Sequence, residues 1–296
     1  MKLKFLGLAS ILLSASFVTM ASQSTAGAKW SFLSSDNDTN NHISGSGAHT
    51  SLHGSKDGVS LDITGWSSAL HGGQSYCGTA ANDRCVLRSK LTRYNKGGLG
   101  VINIDETDDE PNHSIDNNAN DFDMILLTFS EAVNISAIHT GWNFSYTAGA
   151  ETSGTGDDER RWNHANASAL AYTGNGTPPA FSTYPDSSTQ YRTWSDIAGD
   201  GWNSIADNAR TVNKSGQIGN IPITNNLFSR FWLLGAAHVL DQHNMGSSTD
   251  HIKISGVTFH KQQSGTPDSS TPVNAPASIA LLIAAGIVAL RRKKQS

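Results

Sequence analysis

Little in this chain is charged. Asp, Glu, Lys and Arg make up 16% of its 296 residues, against about 25% in an ordinary globular protein, so Ser, Thr, Asn and Gly must wet the surface instead. There is no basic excess either: 21 Lys and Arg face 25 Asp and Glu. That removes the phosphate-neutralising patch a nucleic-acid binder needs. The two cysteines cannot form a metal site without further Cys or His at suitable spacing. No His-Glu-x-x-His motif, no Gly-x-Ser-x-Gly elbow and no phosphate-cradling Gly-rich loop opening a helix occurs. Between residues 29 and 261 no long run has the 3.6-residue period of an amphipathic helix.

What is present is concentrated first at the two ends. Residues 1–28 read as a secretory signal: Lys2 and Lys4 give a short positive start, Phe5 to Val18 are mostly apolar, and small residues follow. Cleavage after Ala21 or after Ala28 suits a signal peptidase, and the apolar run is shorter than the ~20 residues that span a bilayer. At the other end, residues 262–272 are rich in Ser, Thr and Pro and read as a flexible linker. Residues 273–296 then hold Val273-Asn274-Ala275-Pro276, an apolar run from Ala277 to Leu290, and Arg291-Arg292-Lys293-Lys294. A basic cluster behind an apolar helix stays in the cytoplasm. The chain is therefore expected to leave the cytoplasm at its N-terminus and to stall at its C-terminus. The apolar run is short and Ala-rich, which suits a transient sorting signal better than a permanent anchor.

Without its two ends the protein changes sign of emphasis. They carry six basic residues and no acid, so the exported part holds 15 basic against 25 acidic side chains, a formal charge of −10. Such a surface disposes the protein to bind cations or to sit near hydrated polysaccharide.

A short motif ending in Pro276, an apolar helix and the terminal cluster Arg291 to Lys294 resemble the tripartite PEP-CTERM sorting signal of Gram-negative bacteria. Val273-Asn274-Ala275-Pro276 stands where that family usually has Val-Pro-Glu-Pro, a variant similar to tails of the exosortase-dependent surface proteins of marine gammaproteobacteria. The resemblance extends inward through Leu99-Gly100-Val101, residues 113–117, Asp121 to Phe129, Gly141-Trp142, Phe231 to Ala236 and Asp250 to Ile254. It implies export, membrane contact through the C-terminal helix before processing, and recognition by an exosortase-like enzyme. Release to the cell surface or an exopolysaccharide matrix would follow. It implies display and no catalytic site.

The exported part, residues 29–261, is expected to be a single all-β domain, a sandwich or jelly roll. Short apolar or alternating stretches separated by Gly, Asn, Asp and Ser fill it. Val59 to Ile63 and Val133 to Ala137 alternate with period two, which predicts half-buried strands. Met124 to Leu127 is continuously apolar, as in a central strand covered on both faces, and Phe231 to Leu234 reads likewise. In His251 to Phe259 the apolar residues move from even to odd positions across Gly256, which predicts a bulge or corner there. Short helices are expected around 195–212. Cys77 and Cys85, eight apart in an exported chain, are expected to form a disulfide that pins a small loop.

Three groups of residues invite a chemical reading. Asp116, Asn118, Asn120, Asp121 and Asp123 bring oxygen ligands together before the apolar strand, which suits Ca²⁺. Asp121 and Leu127 stand where an EF-hand needs Gly and Glu, so the choice is between a different Ca²⁺ site, with help from Asp105, Glu106, Asp108, Asp109 or Glu110, and a solvated Asx-rich turn. Of seven Trp, Trp162, Trp194 and Trp202 lie in polar surroundings where exposed rings would stack on sugars. Trp142 and Trp232 abut apolar strands and are expected in the core. His238, His243 and His251 lie near Asp241 and Asp250 without a catalytic spacing. The sequence thus favours a non-enzymatic surface protein associated with exopolysaccharide. A secreted polysaccharide hydrolase, whose carboxylate pair is set in space rather than in sequence, is the alternative.

Overall fold

The computed structural model describes residues 27–33, 47–69, 85–95, 97–103, 114–117, 122–147, 166–181, 192–210, 219–236 and 248–262. The chain divides into two units, Met1–Lys261 and Gln262–Ser296, and the fold is that of the first. Its strands are Ala28–Ser31 (β1), Gly47–His49 (β2), Leu52–Lys56 (β3), Val59–Ala69 (β4), Cys85–Tyr94 (β5), Gly98–Ile102 (β6) and Ile115–Asp116 (β7). They continue with Asp123–Thr147 (β8), Asn166–Tyr172 (β9), Trp202–Arg210 (β10), Gly219–Pro222 (β11), Ser229–Gly235 (β12) and Ser248–Lys261 (β13). Among the described residues the one helix is Trp194–Ala198 (α1). It starts in a reciprocal cap between Thr193 and Asp196 and is shorter than the sequence pattern suggested, because β10 takes most of that segment.

The domain is all-β, as the alternation predicts, but the expected pair of facing sheets is replaced by one 13-stranded sheet. Its spine is β8, 25 residues long. From Asp123 to Phe129 it pairs with β4, and from Val133 to Thr147 with β13. Since β4 continues to β5, β5 to β6 and β6 to β13, the pairings return to β8. These strands form a closed, barrel-like ring. A wing leaves it through β12, β9 and β10. Alternation tells which side chains face inward but not which strands close on one another, so closure was not readable in advance.

Each strand feeds the core as its period dictates. Val59, Leu61 and Ile63 are fully buried while Ser60 and Asp62 are exposed. In β8, Ile125, Leu127 and Phe129 join a large aliphatic core with Leu91, Leu99, Val101, Ile252, Ile254, Val257 and Phe259. Met124 points to a second cluster on the opposite face, and Leu126 packs against it. This strand is covered on both sides, as its continuous apolar run implies. The hairpin between β3 and β4 turns on Asp57 and Gly58, both at positive φ (51° and 77°), the pattern of a two-residue turn that matches strand twist.

The seam of the ring lies where β1, β6 and β13 meet. The β13 ladder slips by one residue between Ile254 and Gly256, the bulge the sequence predicts. A Cβ on Gly256 would lie 2.2 Å from the Trp30 carbonyl oxygen, so only Gly admits β1 at that point. Gly98, at φ 93°, is in the same position toward the other neighbour: its Cβ would lie 2.2 Å from the Ile254 carbonyl oxygen.

Candidate functional site

Lys253 stands on β13 between two core isoleucines. Ile252 and Ile254 on either side are fully buried in the core, so strand alternation turns Lys253 to the other face. There it is the cross-strand partner of Trp142 on β8. On the far side of the seam Tyr94 ends β5 opposite Gly98. Tyr94, Lys253 and Trp142, from three strands of the ring, line with Arg93, Asn95 and Gly97 an open cleft of about 510 Å³.

The cleft is built around the lysine ammonium. Lys253 Nζ lies 3.7 Å from the centroid of the Tyr94 ring and 5.1 Å from that of Trp142, within the range of cation–π attraction. A Cβ on Gly97 would come within 3.0 Å of Lys253 Cδ, so the glycine leaves space for the lysine stem. The residue is 7% exposed, and burial pulls its pKa down to about 8. Lys261, on the same strand, is different: it is exposed and its Nζ lies 2.9 Å from Glu131 Oε1. Beside Lys253, Arg93 is held by donating Nε–H to the Phe32 carbonyl at 2.9 Å and a second N–H to the Leu33 carbonyl. Burial raises the Tyr94 pKa, with a smaller opposing effect from a hydrogen bond to Thr92. The phenol is therefore neutral near pH 7. A cationic, aromatic and amide-bearing lining is suited to holding a polar ligand that has flat apolar faces.

The residues singled out from the sequence fall elsewhere. Trp194 and Trp202 are 2% and 5% exposed, inside an aromatic cluster with Tyr172, Phe181 and Phe231. Phe181 packs edge-on to Trp194 and tilted to Trp202, both at 6.1 Å. Their faces are consumed by packing, which corrects the expectation that they stack on sugars; the polar neighbours in sequence belong to the other faces of their elements. Trp162 lies outside the described residues. Trp232 is fully buried as expected, whereas Trp142, expected in the core, is half-buried and walls the cleft.

Of the proposed cation ligands, Asn118, Asn120 and Asp121 lie outside the described residues. Asp116 is 2% exposed, and its Oδ2 accepts a hydrogen bond from Ser114 Oγ at 2.9 Å and lies 3.2 Å from His251 Nδ1. Asp123, also buried, starts β8. Among the described residues no group of three or more His, Cys, Asp and Glu is placed to hold a metal ion. The Asp116 carboxylate instead clasps β7 to β13, where Asp116 and His251 are cross-strand partners. This trio is not a nucleophilic relay. Ser114 Oγ lies 3.1 Å from the same His251 nitrogen that faces Asp116, whereas a relay needs serine and aspartate on opposite ring nitrogens.

A second Ser–His–Asp trio does have the relay order. His53 Nε2 lies 3.1 Å from Ser51 Oγ, and its Nδ1 contacts Asp62. It sits on the open face of the β3–β4 hairpin with His53 and Asp62 side chains 68% and 55% exposed, where water screens the charge separation that catalysis requires. Cys85 is buried at the start of β5, and Cys77 lies outside the described residues. So do the signal segment to residue 26 and the tail with Val273 to Pro276 and Arg291 to Lys294. Among the described residues no helix is long and apolar enough to cross a membrane.

Fold and cleft together define a closed all-β domain with an aromatic, cationic surface site. Compared with known proteins, the chain matches no family model, no curated protein and no solved structure. The sequence carried one signal for the site, a lysine alternating with core isoleucines in 251–254. Its neighbours Tyr94 and Trp142 are brought to it from 159 and 111 residues away by ring closure, a juxtaposition that spacing along the chain does not encode.

Proposed function

We propose that this protein is an exported, non-enzymatic surface or matrix component that associates with exopolysaccharide through the cleft between Tyr94, Lys253 and Trp142. The observation that carries the reading is the lining itself, aromatic walls beside an ammonium, a guanidinium and an amide. Paired carboxylates, the requirement for glycoside hydrolysis, are not among these lining residues, so the cleft favours holding a glycan over cleaving one. Export rests on the N-terminal segment. Display rests on the tail, which an exosortase-like enzyme would process at Val273 to Pro276 after the apolar run and Arg291 to Lys294 halt transfer. A Cys77–Cys85 link belongs to the same reading, since an exported chain meets oxidising conditions.

The test uses protein recovered from the surface or medium of an expressing Gram-negative host. Its intact, unreduced mass is expected to show loss of both ends and of the two thiol hydrogens. Applied to immobilised exopolysaccharide, it is expected to be retained, and Trp142→Ala is expected to reduce retention at least tenfold with an unchanged melting temperature. Full-length mass, or retention indifferent to Trp142, would overturn the corresponding part of the reading.

A further inference from the structure

Resting on the saccharide reading of the cleft, we infer that its ligands are acidic glycans, whose carboxylate is held by Lys253 while the aromatic walls contact the sugar ring. Three observations converge on a negative charge. First, Lys253 is 7% exposed yet faces rings and has no carboxylate against it among the described residues, so its ammonium has given up water without gaining an anionic partner there. Second, the second charge in the lining is Arg93, of the same sign. Third, these two cations are gathered at one place on a domain whose overall charge is strongly negative. A carboxylate arriving in the cleft would pair with the Lys253 ammonium, whereas a neutral sugar gains only the aromatic contact.

The chemistry has a proton signature. Among the described residues, the titratable groups facing Lys253 are Tyr94 and Arg93, both on β5; β8 contributes Trp142 and the β5–β6 turn contributes Asn95 and Gly97, none of which titrates. With burial holding its pKa near 8, Lys253 is charged at neutral pH and discharges as pH rises through about 8. Affinity for an anion is therefore full below that value and falls above it. Binding in turn raises the lysine pKa and takes up protons from solution at pH 8–9.

The experiment compares oligogalacturonate with its methyl ester, two probes with the same ring and different charge, titrated calorimetrically into the full exported domain. The acid is expected to bind at least tenfold tighter at pH 7. That preference is expected to disappear with Lys253→Met, which keeps the stem and removes the charge, and to shrink above pH 8 with proton uptake measured in buffers of different ionisation enthalpy. The wild-type comparison stands even if the variant does not fold. Equal binding of acid and ester would overturn the assignment of a carboxylate to Lys253 while sparing the saccharide reading. Binding of neither, together with no retention on exopolysaccharide, would overturn both. An acid preference that survives Lys253→Met in a folded variant would place the anion elsewhere.

Discussion

The ring and the wing solve the same covering problem with different side chains. Inside the ring the core is mainly aliphatic, with Leu61, Ile63, Leu91, Leu99, Ile125, Leu127, Ile252 and Ile254 essentially inaccessible to water. The walls are continuous sheet, and branched side chains alternating from several strands fill the interior. Among the described residues, the opposite face of β8, β9 and β12 is covered by the segment 173–181 and the five-residue α1. Here aromatic rings do the covering, Trp66, Tyr172, Phe181, Trp194, Trp202 and Phe231, because each hides a large area with few residues. Tryptophan in a polar stretch of sequence thus marks, in this fold, a plug under an irregular cover. The ring should be the rigid member of the pair and the wing cover the adaptable one.

The most severe way to break this contrast is at the seam. Gly98→Val places a branched side chain at φ 93° with its Cβ 2.2 Å from a carbonyl oxygen of β13. It is expected to cost more than about 4 kcal/mol, read as loss of the cooperative denaturant transition. A matched pair of truncations asks whether the two cores differ in stiffness. Leu127→Ala in the ring is expected to cost about 4 kcal/mol, because closed walls cannot collapse into the cavity. Phe181→Ala, under the cover, is expected to cost about 2 kcal/mol despite the larger side chain, as its segment can move in. Equal costs in chemical denaturation would show that the cover is as rigid as the ring.

The smallest effect sharpens the picture through pH. His139 on β8 is buried, its Nε2 lies 2.8 Å from Thr258 Oγ1, and burial followed by the Lys29 charge lowers its pKa to about 4, against a weaker opposing hydrogen bond with the Gly219 backbone. Unfolded His139 takes up a proton first as pH falls. The stability it confers is therefore full above about 6.5 and lost progressively between 6.5 and 4, on the order of 2 kcal/mol. Thermal melts across that range are expected to show this slope in the wild type and a flatter one in His139→Gln.

What the sequence disclosed was periodic and local. Alternation in Val59 to Ile63, the two-sided apolar run of β8 and the bulge beside Gly256 all follow from residues a few positions apart. The partner of Asp116 proved to be His251, and the partners of Lys253 proved to be Tyr94 and Trp142. Asp116 and Trp142 reach β13 through its ladders with β7 and β8, and Tyr94 reaches it through the pairing of Leu99 with Ile254 between β6 and β13, and no periodicity reports on those long-range pairings. Trp194 and Trp202 were misleading for a related reason: hydrophilic neighbours describe the outer side of a strand or helix, not what packs on its inner side.

The pairing of Ala28 with Phe259 has a consequence for how the domain comes into being. Among the described strands the first and the last in sequence are ladder partners, and the last is the one that completes the ring. Until residue 261 is available, β6 and the late half of β8 lack the neighbour that lies between them, and their edges stay open to other chains. Such high sequence separation in the closing contacts predicts slow, late-committing folding.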